Sequence, residues 1–102
     1  MGIVLQKRFV MADTIRRNYA LREYDIKETP QGRQMTFSIK FVKKGGEVVF
    51  LPRAVACGLP FNLKDNRMRG VVAVDDNGDK IGHAYPVNID LMLEWNGKKI
   101  IL

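Results

Sequence analysis

The chain has 102 residues, 46% hydrophobic and 27% charged, which is ordinary globular usage and excludes a disordered composition. That length holds one domain, residues 1–102, with one core and no room for a second. A single cysteine, Cys57, excludes an internal disulfide, and the formal charge of +6 turns attention to anionic partners.

A lone cysteine suits a reducing compartment. The opening run Gly2-Ile3-Val4-Leu5 is too short for a signal peptide, and no stretch approaches the roughly 20 apolar residues of a membrane span. Met1-Gly2 has the start of a myristoylation motif, but Gln6 stands where that motif takes Ser or Thr. A cytoplasmic protein away from membranes is expected. The charge is uneven: residues 1–22 carry a net +4 and residues 53–69 a net +3, while residues 70–95 carry a net −4. A basic region beside an acidic hairpin suits an anionic partner at one face, and it equally suits plain solubility.

In chain order, Asp13 or Thr14 is placed to cap a short helix with Ile15 and Tyr19 one turn apart; the alternative is that residues 12–21 extend the strand after them. Leu21 to Lys27 reads as a loose strand, and Thr29-Pro30-Gln31-Gly32 as a turn. Met35, Phe37, Ile39 and Phe41 alternate with Thr36, Ser38 and Lys40 at period two, the pattern of a half-buried strand. Gly45-Gly46 turns it into a second strand, Glu47 to Leu51. Pro52 suits the first turn of a helix through Cys57, with Gly58 as its stop, and residues 59–70 read as an irregular connection. Val71 to Val74, a type I′ turn at Asn77-Gly78, and Ile81 to Val87 make a hairpin. Ile89, Leu91, Leu93 and Trp95 then alternate towards the core, and Asn96-Gly97 turns the chain into a last strand, Lys98 to Leu102. The fold class expected is mainly β: six or seven short strands in a small barrel or a strongly twisted antiparallel sheet, with one or two short helices.

Catalytic material is thin. Nucleophilic catalysis needs a base beside the nucleophile and a third group to orient it, and the chain has one His, one Cys and one Ser. Cys57 sits in an apolar Ala-Cys-Gly context that favours packing, and His83 alone cannot build a zinc site. Asp75, Asn77 and Asp79 have the spacing of a calcium loop, but Lys80 and Pro86 stand where an EF-hand needs Gly and an acid, so turn chemistry explains them better. No enzyme, metal or cofactor is expected.

Phe61 to Gly70 gathers Lys64, Arg67 and Arg69 with Asn62, Asn66 and Phe61. Arg and Lys neutralise phosphate, and an aromatic ring stacks on an unpaired base. The competing reading has Phe61, Leu63 and Met68 plugging the core while the charges solvate the turn. With the N-terminal cations, the candidate nucleic-acid-binding residues are Arg16, Arg17, Arg53, Phe61, Lys64, Arg67 and Arg69.

Met68-Arg69-Gly70 leading into Val71-Val72-Ala73-Val74 resembles the second signature of the Sm-like small-barrel fold, an aliphatic residue, Arg and Gly entering a strand. The upstream Sm signature has no counterpart, so ring assembly and uridine binding are not carried over. The chain as a whole resembles small bacterial proteins found near mobile elements, a likeness that implies no activity. Two functions are therefore expected as alternatives. One is a nucleic-acid-binding accessory protein, taking RNA or DNA on a basic loop. The other is a protein-interaction or assembly module using a sheet edge or the Asp75–Asp79 hairpin. One face joining Arg16, Arg17, Arg53, Arg67 and Arg69 favours the first, and dispersal of those charges favours the second.

Overall fold

In a computed structural model, residues 13–59 and 67–102 are described. They form one seven-stranded sheet and one α-helix: β1 (Thr14–Arg16), α1 (Arg17–Asp25), β2 (Phe37–Val42), β3 (Val48–Cys57), β4 (Met68–Val74), β5 (Lys80–Asn88), a 3₁₀ turn (Ile89–Leu91), β6 (Met92–Trp95) and β7 (Lys98–Ile101). The strand order is β1-β7-β6-β2-β3-β4-β5, and every pair is antiparallel except β1 with β7. Of the two expected architectures, the twisted open sheet is the one formed, with β1 and β5 as its edges.

Period-two alternation does most of the construction. Phe37, Ile39 and Phe41 are buried on one face of β2, with Leu51 and Ala54 of β3 beside them. The two glycine-bearing hairpins expected on either side of the core form. Gly46 closes the β2–β3 turn at φ +92°, and Asn96 and Gly97 both take positive φ, the type I′ geometry. At the β4–β5 turn only Gly78 is left-handed, so that loop is not the expected type I′ turn. The Asp75 carboxylate holds it instead, accepting from the amides of Asn77 and Asp79, each at 2.9 Å.

Three expectations are corrected. Residues 52–57 are strand, not helix: they lie in β3, paired on one side with β2 and on the other with β4. Pro52 falls where the β2–β3 register shifts, and an irregularity of this kind tolerates a residue with no N–H to donate. Leu21 to Asp25 are helix, not strand, and the helix starts at Arg17 with no side-chain cap. Its inward stripe is Ala20 and Tyr24, one turn apart, while Ile15 belongs to β1 and Tyr19 is exposed. Nine residues make a marginal helix in isolation; the Tyr24 hydroxyl donates to the Gly70 carbonyl at 2.8 Å and the Trp95 indole N–H to Glu23 at 3.0 Å, tying it to the sheet. The third correction is on β6. Leu91 and Leu93 are exposed, and Met92 and Trp95 face the core. A register shift against β2, between Lys40 and Phe41, leaves Leu93 as an extra residue and breaks the alternation.

The main core lies between α1 and this face, with Trp95 stacked on Phe37 at 4.4 Å and Tyr24 tilted against Phe37 at 6.0 Å. Phe41 meets Tyr85 edge-on at 5.6 Å, although β2 and β5 are separated in the sheet by β3 and β4. The sheet therefore curls until its core face closes on itself, and the three-residue turn Ile89–Leu91 carries the chain from edge strand β5 across to β6. No ladder joins β5 to β6 among the described residues, so the curl stays open along that seam.

Candidate functional site

The curl makes a groove. Phe41, Val42, Met68, Tyr85, Pro86, Asn88 and Leu91 line a space of about 430 Å³, and Lys43 and Lys44 stand over it from the β2–β3 turn. The turn explains their position: the Lys43 amide donates to the Glu47 carbonyl and the Gly46 amide to the Lys43 carbonyl, each at 2.8 Å, so the two lysines leave β2 where its core face ends. Tyr85 is half-buried, braced by Phe41 on one side and by the exposed His83 ring at 4.4 Å on the other, with the Lys43 ammonium 5.8 Å from its ring centre. Lys43 also reaches Glu47 at 3.5 Å. An apolar and aromatic floor with the Lys43 ammonium near its ring and Lys44 in the same lining suits a ligand that is flat, apolar and anionic at once.

A second cationic group lies one residue along the chain from this lining. Arg67 precedes Met68, Asp90 precedes Leu91, and Arg17 opens α1. The Asp90 carboxylate accepts from Arg67 Nε at 3.2 Å, from Arg67 NH2 at 2.9 Å and from Arg17 NH1 at 2.8 Å. The Arg67 hydrogen bonds, more than any other influence, hold the Asp90 carboxyl below the usual carboxylate range, and Asp90 in turn raises Arg67. Arg67 is left-handed at φ 55°, uncommon for a residue with a Cβ, and its carbonyl accepts from the Ile89 amide at 3.0 Å.

The other expected residues are spread out. Arg53 reaches Asp76 at 3.7 Å beyond the far end of β4, and seven strand residues at ~3.3 Å each put roughly 23 Å between that end and Arg67. Arg53 and Asp76 there flank a separate cleft with Thr36, Ser38 and Asn96 on its edge and Phe37, Pro52 and Val74 in its lining. Arg16 is exposed and alternates with buried Ile15, so it points to the sheet face away from the main core. Arg69 is half-buried with NH1 donating to the Met68 carbonyl at 2.9 Å, and its Nε is buried without a hydrogen-bond partner. Phe61 and Lys64 lie outside the described residues, as does most of the connection read as irregular; Met68 to Gly70 are strand. The five arginines thus do not share one contact: Arg17 and Arg67 meet at Asp90, Arg53 reaches Asp76 at the far end of β4, and Arg69 turns to the Met68 carbonyl.

Gly70, the glycine of the Sm-like tripeptide, has a packing reason in this fold. A Cβ there would run into the Cys57 carbonyl oxygen on the neighbouring strand. Cys57 itself is half-buried, and burial, more than any other influence, pushes its thiol up from the ordinary value. Among the described residues no group of three or more His, Cys, Asp or Glu is placed to hold a metal ion, and no helix is long and apolar enough to cross a membrane.

Lys43, Lys44, Tyr85 and Asn88 were not among the residues singled out from the sequence. Their meeting depends on the curl of the sheet, which no local pattern encodes. Comparison with protein-family models, with curated proteins and with solved structures finds no match to this chain.

Proposed function

We propose that the protein is a non-enzymatic nucleic-acid-binding protein that takes a single strand in the groove between the β2–β3 turn and β5. The observation that carries this reading is the pairing of an aromatic floor at Tyr85 with the Lys43 ammonium 5.8 Å from its ring and Lys44 in the same lining. Proteins that hold single strands combine cations that track the backbone with rings on which bases stack. Arg67 and Arg17 extend the cationic track beyond Met68, and Asn88 supplies an amide for a base edge. The near-closure of strands β2 through β6 is that of a small barrel unzipped between β5 and β6, which is in keeping with the Sm-like tripeptide and with a place among small bacterial proteins. Work in the cytoplasm goes with a lone thiol that must stay reduced.

The separation of Arg53 from the Arg17–Arg67 pair favours the second reading, a protein-interaction module. The edges weigh against it. β1 is three residues long, and β5 carries a left-handed Gly82 in a register shift and Pro86, which has no amide to offer an added strand. Asp75 is engaged in its own turn and Asp76 faces Arg53, so the acidic hairpin is partly neutralised.

The test is fluorescence anisotropy with random single- and double-stranded oligonucleotides at two salt concentrations. Single strands are expected to bind more tightly, and Lys43→Ala with Lys44→Ala should flatten the dependence of log K on log salt by about 0.7 for each phosphate that is no longer neutralised. Absence of salt-dependent binding to any oligonucleotide at micromolar protein overturns the reading in favour of a protein partner.

A further inference from the structure

A carboxylate gripped by two guanidinium groups beside a proposed strand-binding groove is the arrangement expected of a phosphate site that is already filled. Arg67 offers Asp90 a fork, Nε at 3.2 Å and NH2 at 2.9 Å, and Arg17 NH1 reaches the same carboxylate at 2.8 Å. Arginine forks bind carboxylate and phosphate oxygens with the same planar geometry. We infer that Asp90 is an internal stand-in for a phosphate, occupying the Arg17–Arg67 pair until the backbone of a bound strand displaces it. The inference rests on the single-strand reading of the groove and adds an autoinhibitory contact to it.

Three features support displacement. The cluster is open to solvent, with side-chain exposures of 29% for Arg17, 57% for Arg67 and 47% for Asp90, so an incoming phosphate has access and the existing pairs are screened by water. The backbone that presents Asp90 does not depend on its carboxylate: the Asp90 amide donates to Asn88 Oδ1 at 2.8 Å, and the Ile89 amide to the Arg67 carbonyl at 3.0 Å. The group released is well placed to leave the track, since one carboxylate against two guanidinium groups leaves the cluster a net positive charge that a phosphate also satisfies. A purely structural ion pair would sit equally well anywhere on the surface, whereas this one lies between Asn88 and Leu91, both of which line the groove.

The test compares wild type with Asp90→Asn, which keeps the shape and removes the charge, using labelled oligothymidine at two salt concentrations. Asp90→Asn is expected to bind on the order of tenfold more tightly, with a salt dependence steeper by about 0.7 for each additional phosphate neutralised. Adding Arg67→Ala to it should abolish the gain. Unchanged or weaker binding by Asp90→Asn at wild-type Tm overturns the inference. It leaves the groove reading standing if wild-type binding still falls with Lys43→Ala and Lys44→Ala. Absence of binding by wild type and Asp90→Asn alike removes both. A measurement on wild type alone covers a variant that folds poorly: the Arg67 Nε–H resonance should shift on adding oligothymidine, and a resonance that stays put under binding conditions contradicts displacement.

Discussion

At one end of β4, Arg67 and Arg17 close on Asp90 within 3.2 Å, next to a groove floored by Phe41, Met68 and Tyr85; at the other, Arg53 reaches Asp76 at 3.7 Å across a cleft edged by Thr36, Ser38 and Asn96. Both ends have a cation, a carboxylate and an opening. They differ in what lies beneath. The groove floor is continuous with the main core through Phe41, so its shape is set by packing, and the Lys43 ammonium stands 5.8 Å from the half-buried Tyr85 ring. The other cleft is edged by Thr36, Ser38 and Asn96 with a fully exposed Asp76, and the one ring in its lining, Phe37, is 5% exposed and already stacked on Trp95, which leaves little of its face to a ligand. What separates the two openings is an accessible ring beside a cation, not charge alone.

The largest expected effect tests whether the groove end is tied to the core. Phe41→Ala should cost about 3–5 kcal/mol in chemical denaturation, as deletion of a buried ring does, because Phe41 is 1% exposed and supports Tyr85. A loss below about 1 kcal/mol would detach the groove from the core. Gly70→Ala comes next, at about 1–3 kcal/mol from overpacking against the Cys57 carbonyl, read as a fall in Tm. An unchanged Tm would mean that β3 and β4 part more easily than their pairing indicates. Tyr85→Ala should weaken single-strand binding by about 1–3 kcal/mol and duplex binding less, the signature of a stacking platform; an equal loss on both would make Tyr85 merely structural. Arg53→Ala should change stability by no more than about 0.5 kcal/mol and leave binding alone, since an exposed, long ion pair contributes little.

Two groups near the groove end give pH responses of opposite sign. Tyr24 has its ionisation raised above the usual value, first by burial, and its hydroxyl donates to Gly70 beside the groove strand. A raised folded value means that its stabilisation is fully present below the ordinary tyrosine value of about 10 and is lost as pH rises through the folded one. Unfolding midpoints should therefore fall at alkaline pH, and less so in Tyr24→Phe. Asp90 has the opposite sign. Its lowered value means that its contribution is present above the ordinary carboxylate value of about 4 and fades as pH falls through the folded one. The stability difference between wild type and Asp90→Asn should shrink in that acid window and stay flat from about pH 5 to pH 8.

The strands that were legible are those whose partners are close in sequence. Alternation from Met35 to Phe41 and the glycines at 45–46 and 97 specify a face and a turn without outside information. Residues 52–57 misled because Pro, Ala and Cys are compatible with a helical first turn, whereas their conformation is decided by β2 and β4 on either side and by the shift at Pro52. Leu91 and Leu93 misled because a single extra residue inverts a period-two pattern, and the shift lies in the pairing with a strand about 50 residues earlier. At the site, Arg67 stood out as part of a cationic stretch. Lys43, Lys44 and Tyr85 did not, because their relation is made only when β2 and β5 meet across the curled sheet.

The most direct measurement is the map of backbone amide shifts in a nitrogen-15 labelled sample on titration with a single-stranded oligonucleotide. Perturbations are expected to concentrate at Lys43, Lys44, Met68, Tyr85 and Asn88, with Arg67 following, and to leave Thr36, Ser38, Arg53 and Asn96 almost unchanged. Perturbations centred on Arg53 and Asn96, or an unchanged spectrum at saturating oligonucleotide, would contradict a strand-binding groove between the β2–β3 turn and β5.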